Sequence, residues 1–308
     1  MERRDFLISA AAVAGMTATR RMAAQGERPA ADKRARIAMM TLNFTNLLKT
    51  PGQPESPERT LDLFDLPQMY ADTYGVHNIE LQHYHMASSE PSYFRELRGR
   101  IDRARSKATQ LVVEFGGLNI SAPDHNFLPR LQAVDLTKVW VDRAVVLGCP
   151  RIMVNQGQPS PENEAHAVET LSAMVAYGKS QGVKVTLETR GNGGGRAAAS
   201  AASGNAPTPA EAAEPAWVLL KNIITASGAF INIDLGGIGA KTQDELHVAL
   251  RALLPITSGS MHVRQSGGWD LATALKYIET LGYTGLYSIE ARGHEGTRAI
   301  FDTITASI

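Results

Sequence analysis

The run YSIEARG at residues 287–293 ends as VTLETRG does at 185–191, with a stretch of β-formers followed by Glu-x-Arg-Gly. Residues two apart in an extended chain share a face, so each run aims a carboxylate and a guanidinium together off a strand end. A chance ion pair at a sheet edge would read the same way, and the remaining strands decide between the two. Working outward, short β-prone runs recur at IAMMTLN (37–43), HNIELQ (77–82), QLVVEFG (110–116), RIMVNQ (151–156), VKVTLET (183–189), FINIDLG (230–236), SMHVRQ (260–265) and LYSIEAR (286–292). Amphipathic segments follow them at 60–74, 91–108, 132–147, 162–181, 214–227, 242–254, 270–281 and 295–306. Cap residues open several, as at Asp135 and Asp270, and glycines 148, 182 and 282 close others. Eight strand-then-helix units predict an α/β chain folded as a (β/α)8 TIM barrel over residues 36–308. An open doubly wound sheet would want about six strands and a glycine-rich turn after the first. Here the first strand runs into Asn43-Phe44-Thr45-Asn46 instead.

Composition narrows the partners. Lys plus Arg and Asp plus Glu number 31 each, so there is no basic excess to attract nucleic acid and a small molecule is the expected partner. The single cysteine, Cys149, excludes an intramolecular disulfide and reads as a small apolar residue entering a strand. Residues 1–25 carry Arg3 and Arg4, then a short weakly apolar run and a small-residue end, the pattern of a twin-arginine export signal. The apolar run is too short for a membrane span, so the expectation is a periplasmic or secreted protein without stable membrane insertion. Residues 191–213, rich in Gly, Ala and Ser, cannot pack a core and read as a flexible loop after strand 5.

Chemistry in such barrels sits where strands meet the loops that follow them. Strands 5 to 8 place Glu188, Asp234, His262 and Glu290 there, one each. Three converging carboxylates repel one another unless a cation holds them, and an oxygen-rich set with one nitrogen suits Mn²⁺, with Mg²⁺, Co²⁺ or Zn²⁺ as alternatives. Arg190, Arg264 and Arg292 each lie two residues beyond one of these side chains and are expected in the pocket above the ion. There they either balance the carboxylates or grip an anionic or hydroxylated substrate. The facing wall is expected to come from Glu80, His83 and His85 after strand 2, Glu114 after strand 3 and Asn155 after strand 4.

The strand order and the Glu188, Asp234, His262, Glu290 series resemble the sugar isomerase and epimerase family with the xylose-isomerase-like barrel. The resemblance covers roughly residues 36–306. It implies one divalent metal on those four residues, with Glu188 and Glu290 also moving the proton on the carbon beside a carbonyl and a carbohydrate as substrate. The outcome would be isomerisation, epimerisation or elimination. Where the family commonly carries a histidine three residues after the strand 6 aspartate, this chain has Gly237, and Thr189-Arg190 stand where the family often has Asn-His. The metal set is thus kept while the substrate set differs, and His83 or His85 is a candidate general acid in place of the absent histidine. Two other readings remain open at this point: a metal-dependent phosphoesterase of the apurinic endonuclease kind, and a non-catalytic sugar-binding barrel.

Overall fold

Eight parallel strands, hydrogen-bonded in chain order, close into a barrel. They are β1 (Ile37–Met40), β2 (Asn78–Gln82), β3 (Lys107–Val113), β4 (Arg151–Val154), β5 (Lys184–Glu188), β6 (Phe230–Asp234), β7 (Thr257–Val263) and β8 (Leu286–Ile289). The computed structural model describes residues 32–115, 118–154, 157, 159–190 and 214–308. Residues 1–25, expected to be an export signal, residues 191–213, expected to be a loop, and Asn155 lie outside them. Each strand is followed by the helix of the same number: α1 (Leu66–Tyr74), α2 (Pro91–Arg103), α3 (Leu128–Leu147), α4 (Glu164–Ser180), α5 (Ala216–Ser227), α6 (Gln243–Leu253), α7 (Leu271–Thr280) and α8 (Gly293–Ser307).

Element ends differ from the sequence expectation for local reasons. Pro67 and Pro129 lack the N–H that an interior helical position needs, so they sit in the first turns of α1 and α3 and set where those helices begin. Helix α3 therefore starts at Leu128 rather than 132, and Asp135 is no cap but an interior residue paired with Lys138 at 3.1 Å. Asp270 does cap α7, accepting the Thr273 N–H at 2.7 Å. Helix α2 stops at Arg103 because Arg105 turns left-handed at φ 54°, and β3 starts at Lys107, three residues earlier than read.

Alternation along the strands sorts the two faces of the barrel. Ile79, Leu81, Leu111, Ile152, Leu187, Ile231, Ile233, Met261 and Ile289 face outward into the core shared with the helices. Burying each such side chain contributes about 1.5–3 kcal/mol. The alternate positions carry Glu80, Gln110, Thr186, Asn232, His262 and Ser288, all buried and polar, inside the barrel. Barrel interiors are commonly filled by branched apolar side chains, so this polar filling is a departure. Register levels it: Glu80 lies beside Gln110, and His262 lies between Asp234 and Ser288. A register irregularity between Ile79 and Glu80 skips Thr109 and so brings Glu80 and Gln110 level.

Candidate active site and metal centre

Glu188 and Asp234 end β5 and β6, and His262 is the penultimate residue of β7. Glu290 follows the last residue of β8, and its N–H reaches Val263 O at 3.0 Å, extending that ladder by one bond. Glu188, His262 and Glu290 each present one ligand-type atom, all within 4.8 Å of one another. His262 Nδ1 lies 2.6 Å from Glu188 Oε1 and 3.7 Å from Glu290 Oε2. Asp234 stands beside this set and is gripped by Arg264, with Nε at 2.9 and 3.0 Å from its two oxygens and Nη2 at 2.6 Å. Its Oδ1 also accepts the Gly236 N–H at 2.9 Å.

Electrostatics mark the same three groups. Burial, reinforced by the Asp234 and Glu188 charges and opposed by His262 and Arg264, pushes the Glu290 carboxyl up to about 7. Burial likewise raises Glu188, against the pull of His262. The His262 imidazole is disfavoured as a cation by burial, but Glu80 and Glu188 on either side outweigh this and hold it well above its ordinary value. Glu290 Oε2 is buried and has no hydrogen-bond partner among the described residues. Two mutually repelling carboxylates, one with an orphaned oxygen, and a histidine nitrogen between them form a donor set that a divalent cation fits.

Arg190 bridges two carboxylates, donating from Nε to Glu188 Oε2 at 2.9 Å and from Nη2 to Glu114 Oε1. Arg264 can lie against Asp234 because Gly236, two residues beyond that aspartate, has no side chain. A Cβ on Gly236 would meet Arg264 Cγ at 2.8 Å, and one on Gly237 would meet Thr189 O at 2.2 Å. Thr189 binds the ends of β5 and β6 together, donating to Asp234 O at 3.0 Å and accepting from Asp234 N at 2.8 Å. Arg292 departs from the expected pocket position. Strand β8 ends at Ile289, so the period-two geometry lapses before it, and Arg292 lies exposed at the start of α8, donating to Leu42 O at 3.2 Å.

The expected facing wall divides. Glu80 is fully buried and cannot meet substrate; its carboxylate lies beneath His262. His85 is also sealed in, at 2% exposure, with Thr41 Oγ1 at 2.9 Å from Nδ1 and Thr45 Oγ1 at 3.1 Å from Nε2. Thr45 also donates to Leu42 O, and Thr41 accepts the Gln82 N–H, which orders the chain of bonds and leaves the His85 proton on Nε2. Burial drops His85 to about 3, so it is a structural link between the β1 and β2 loops and not a general acid. His83 is half-buried against Phe115 and Trp140, and its Nδ1 accepts the Glu114 N–H at 3.0 Å. Burial lowers it to about 4, leaving a neutral ring at the mouth. Sequence reading does not single out Gln110, Ser288 or Gly236, and marks Gly237 only as the place of an absent histidine. The alternation Asn78, Glu80, Gln82 was the available signal that β2 turns a polar face inward.

No family model and no curated protein matches the chain. Solved structures do. A xylose isomerase domain protein from Planctomyces limnophilus is 15% identical, with 88% of this chain and 93% of that chain covered at a TM-score of 0.58. D-psicose 3-epimerase from Clostridium cellulolyticum is 11% identical, with 87% and 89% covered at 0.62. The 3-keto-D-glucoside 4-epimerase of E. coli is 13% identical, with 88% and 98% covered at 0.59. The chain shares its fold with these proteins. At such identities the likeness is one of architecture, and the activity has to be argued from the site.

Proposed function

We infer that this chain is a divalent-metal-dependent enzyme that moves the proton on the carbon beside a carbonyl of a sugar or sugar derivative, giving isomerisation, epimerisation or elimination. The observation that carries the reading is Glu290 Oε2, a buried carboxylate oxygen without a hydrogen-bond partner among the described residues, set beside Glu188 and His262 at the mouth of the barrel. Fold neighbours described as sugar epimerases support the substrate class.

In this reading Glu188, His262 and Glu290 hold the ion, with Asp234 as fourth ligand, and Mn²⁺ suits them best. When bound, the ion supplies positive charge that favours ionised oxygens on the substrate. The rest falls to side chains. Glu290 takes the proton at Oε2, which no hydrogen bond from the described residues restrains. Glu188 is its acid–base partner, steadied by Arg190 through the opposite carboxylate oxygen from the one His262 touches. Arg264 keeps Asp234 oriented, and the His83, Phe115 and Trp140 rings provide a neutral wall. Arg190, Arg264 and Glu114 supply polar contacts for substrate hydroxyls, and Arg292, exposed at the start of α8, takes no part.

The test is metal content and isotope exchange. Purified mature protein should carry about one ion per chain and His262→Ala none, and keto sugars incubated in D₂O should gain deuterium beside the carbonyl. Equal, substoichiometric metal in both proteins would sink the reading. The Arg3–Arg4 leader further supports twin-arginine export to the periplasm or beyond. Lysine at both positions should then retain the protein in the cytosol, and unchanged export would refute that route.

A further inference from the structure

Beneath the ligand set lies a carboxylate that nothing at the mouth can reach. Glu80 is 0% exposed, yet it makes three hydrogen bonds inside the barrel. Its Oε1 is 2.6 Å from His262 Nε2 and 3.2 Å from Gln110 Nε2, and its Oε2 accepts from Ser288 Oγ at 2.7 Å. A carboxylate can only accept, so all three partners donate, and the His262 bond requires a proton on Nε2. Gln110 comes from β3 on one side of β2 and Ser288 from β8 on the other, beyond β1, so the carboxylate is held from both sides against the ring. Nδ1 then faces Glu188 and Glu290, and is the nitrogen that offers a lone pair once an ion displaces its proton.

We propose that Glu80 is a positioning residue that fixes both the ring orientation and the Nε2–H tautomer of His262 from below, with Gln110 and Ser288 locking Glu80 in turn. The proposal rests on the metal reading above only for its consequence, since the ring is set whether or not an ion is bound. Metal-ligating histidines are commonly oriented by such a partner on the second nitrogen, and loss of it typically weakens metal binding by roughly 10–100-fold.

The experiment uses the full mature chain with histidine ¹⁵N-labelled, comparing wild type, Glu80→Ala, Glu80→Gln and Ser288→Ala. Two quantities are read: the slowly exchanging downfield proton on His262 Nε2 by NMR, assigned by its loss in His262→Gln, and Zn²⁺ or Mn²⁺ affinity by calorimetry. Glu80→Ala should lose the resonance and bind either ion about 10–100-fold more weakly. Glutamine keeps an acceptor oxygen toward Nε2, so Glu80→Gln should restore the resonance and most of the affinity. Ser288→Ala removes one lock without touching the ring and should broaden the resonance, which keeps the idea testable if Glu80→Ala does not fold. A Glu80→Ala or Ser288→Ala protein with wild-type resonance and affinity would overturn the proposal. A wild type that binds neither ion would count against the metal reading alone, and the resonance would still decide the role of Glu80.

Discussion

His262 and His85 each sit at the end of a barrel strand or just beyond it, and they are 1% and 2% exposed, yet their surroundings make them opposites. His262 lies between the carboxylates of Glu80 and Glu188, which hold its charged form. His85 lies between the hydroxyls of Thr41 and Thr45, which offer a neutral ring everything it needs and a charged one nothing. Burial penalises the imidazolium in both cases, and only the partners differ. A buried histidine is therefore no sign of a site until its two nitrogens have been accounted for.

The sharpest way to break this contrast is to remove each ring. His262→Ala should lower metal affinity by at least roughly 10²-fold and abolish proton exchange. His85→Ala should leave the metal in place and cost about 1–3 kcal/mol of stability through unpaired threonine hydroxyls. Equal metal loss in the two variants would erase the distinction, and elemental analysis reads it directly.

Acid titration sharpens it next. The unfolded chain protonates His85 near pH 6.5, while the folded protein resists until about 3, so stability present above 6.5 is lost as the pH falls through that window. The loss is on the order of 3–5 kcal/mol, visible as a falling urea midpoint between pH 7 and 4, and His85→Asn should flatten it. Chelator-treated His262 has the reverse slope: its raised pKa gives stability that is complete below 6.5 and lost as the pH climbs through the folded value. A midpoint in His85→Asn that still follows the wild-type curve would mean that other groups govern acid unfolding.

Smaller effects belong to the arginines. Arg264→Met strips Asp234 of three charge-assisted contacts and should lower kcat/KM by roughly 10–100-fold. Arg292→Lys, at an exposed position with one bond to a carbonyl, should stay within about threefold. A large Arg292→Lys effect in steady-state kinetics would put that guanidinium on the substrate and reverse the ranking.

Much of the barrel was legible because spacing is local information: a run such as FINID alternates outward Ile231 and Ile233 with inward Asn232 and Asp234, and the segment after it is amphipathic. Element ends were less so, since Asp135 looks like a cap until Pro129 claims the first turn of α3. At the mouth, Glu188, His262 and Glu290 could be read because a strand end fixes both face and height. Depth could not. Whether Glu80 meets substrate or His262 depends on how β2 registers against β3, including the irregularity at Ile79, and on the opening of the barrel above it. His83 and His85 are likewise alike in sequence, and only the single turn of 3-10 helix that carries both sends one to Thr41 and the other to Phe115.

The two glycines after Asp234 also constrain how this chain can change. Neither has a left-handed backbone, so conformation alone would admit any residue there. What forbids one at 237 is the Thr189 carbonyl at 2.2 Å and Asp234 Oδ2 at 2.5 Å from where its first carbon would stand. Backbone cannot swing aside as a lysine tip can, so no single substitution grafts a histidine into that place. An engineer wishing to install one would first have to rebuild the end of β5, and an evolving lineage would meet the same barrier, needing two changes at once to leave a sequence that one change alone only damages.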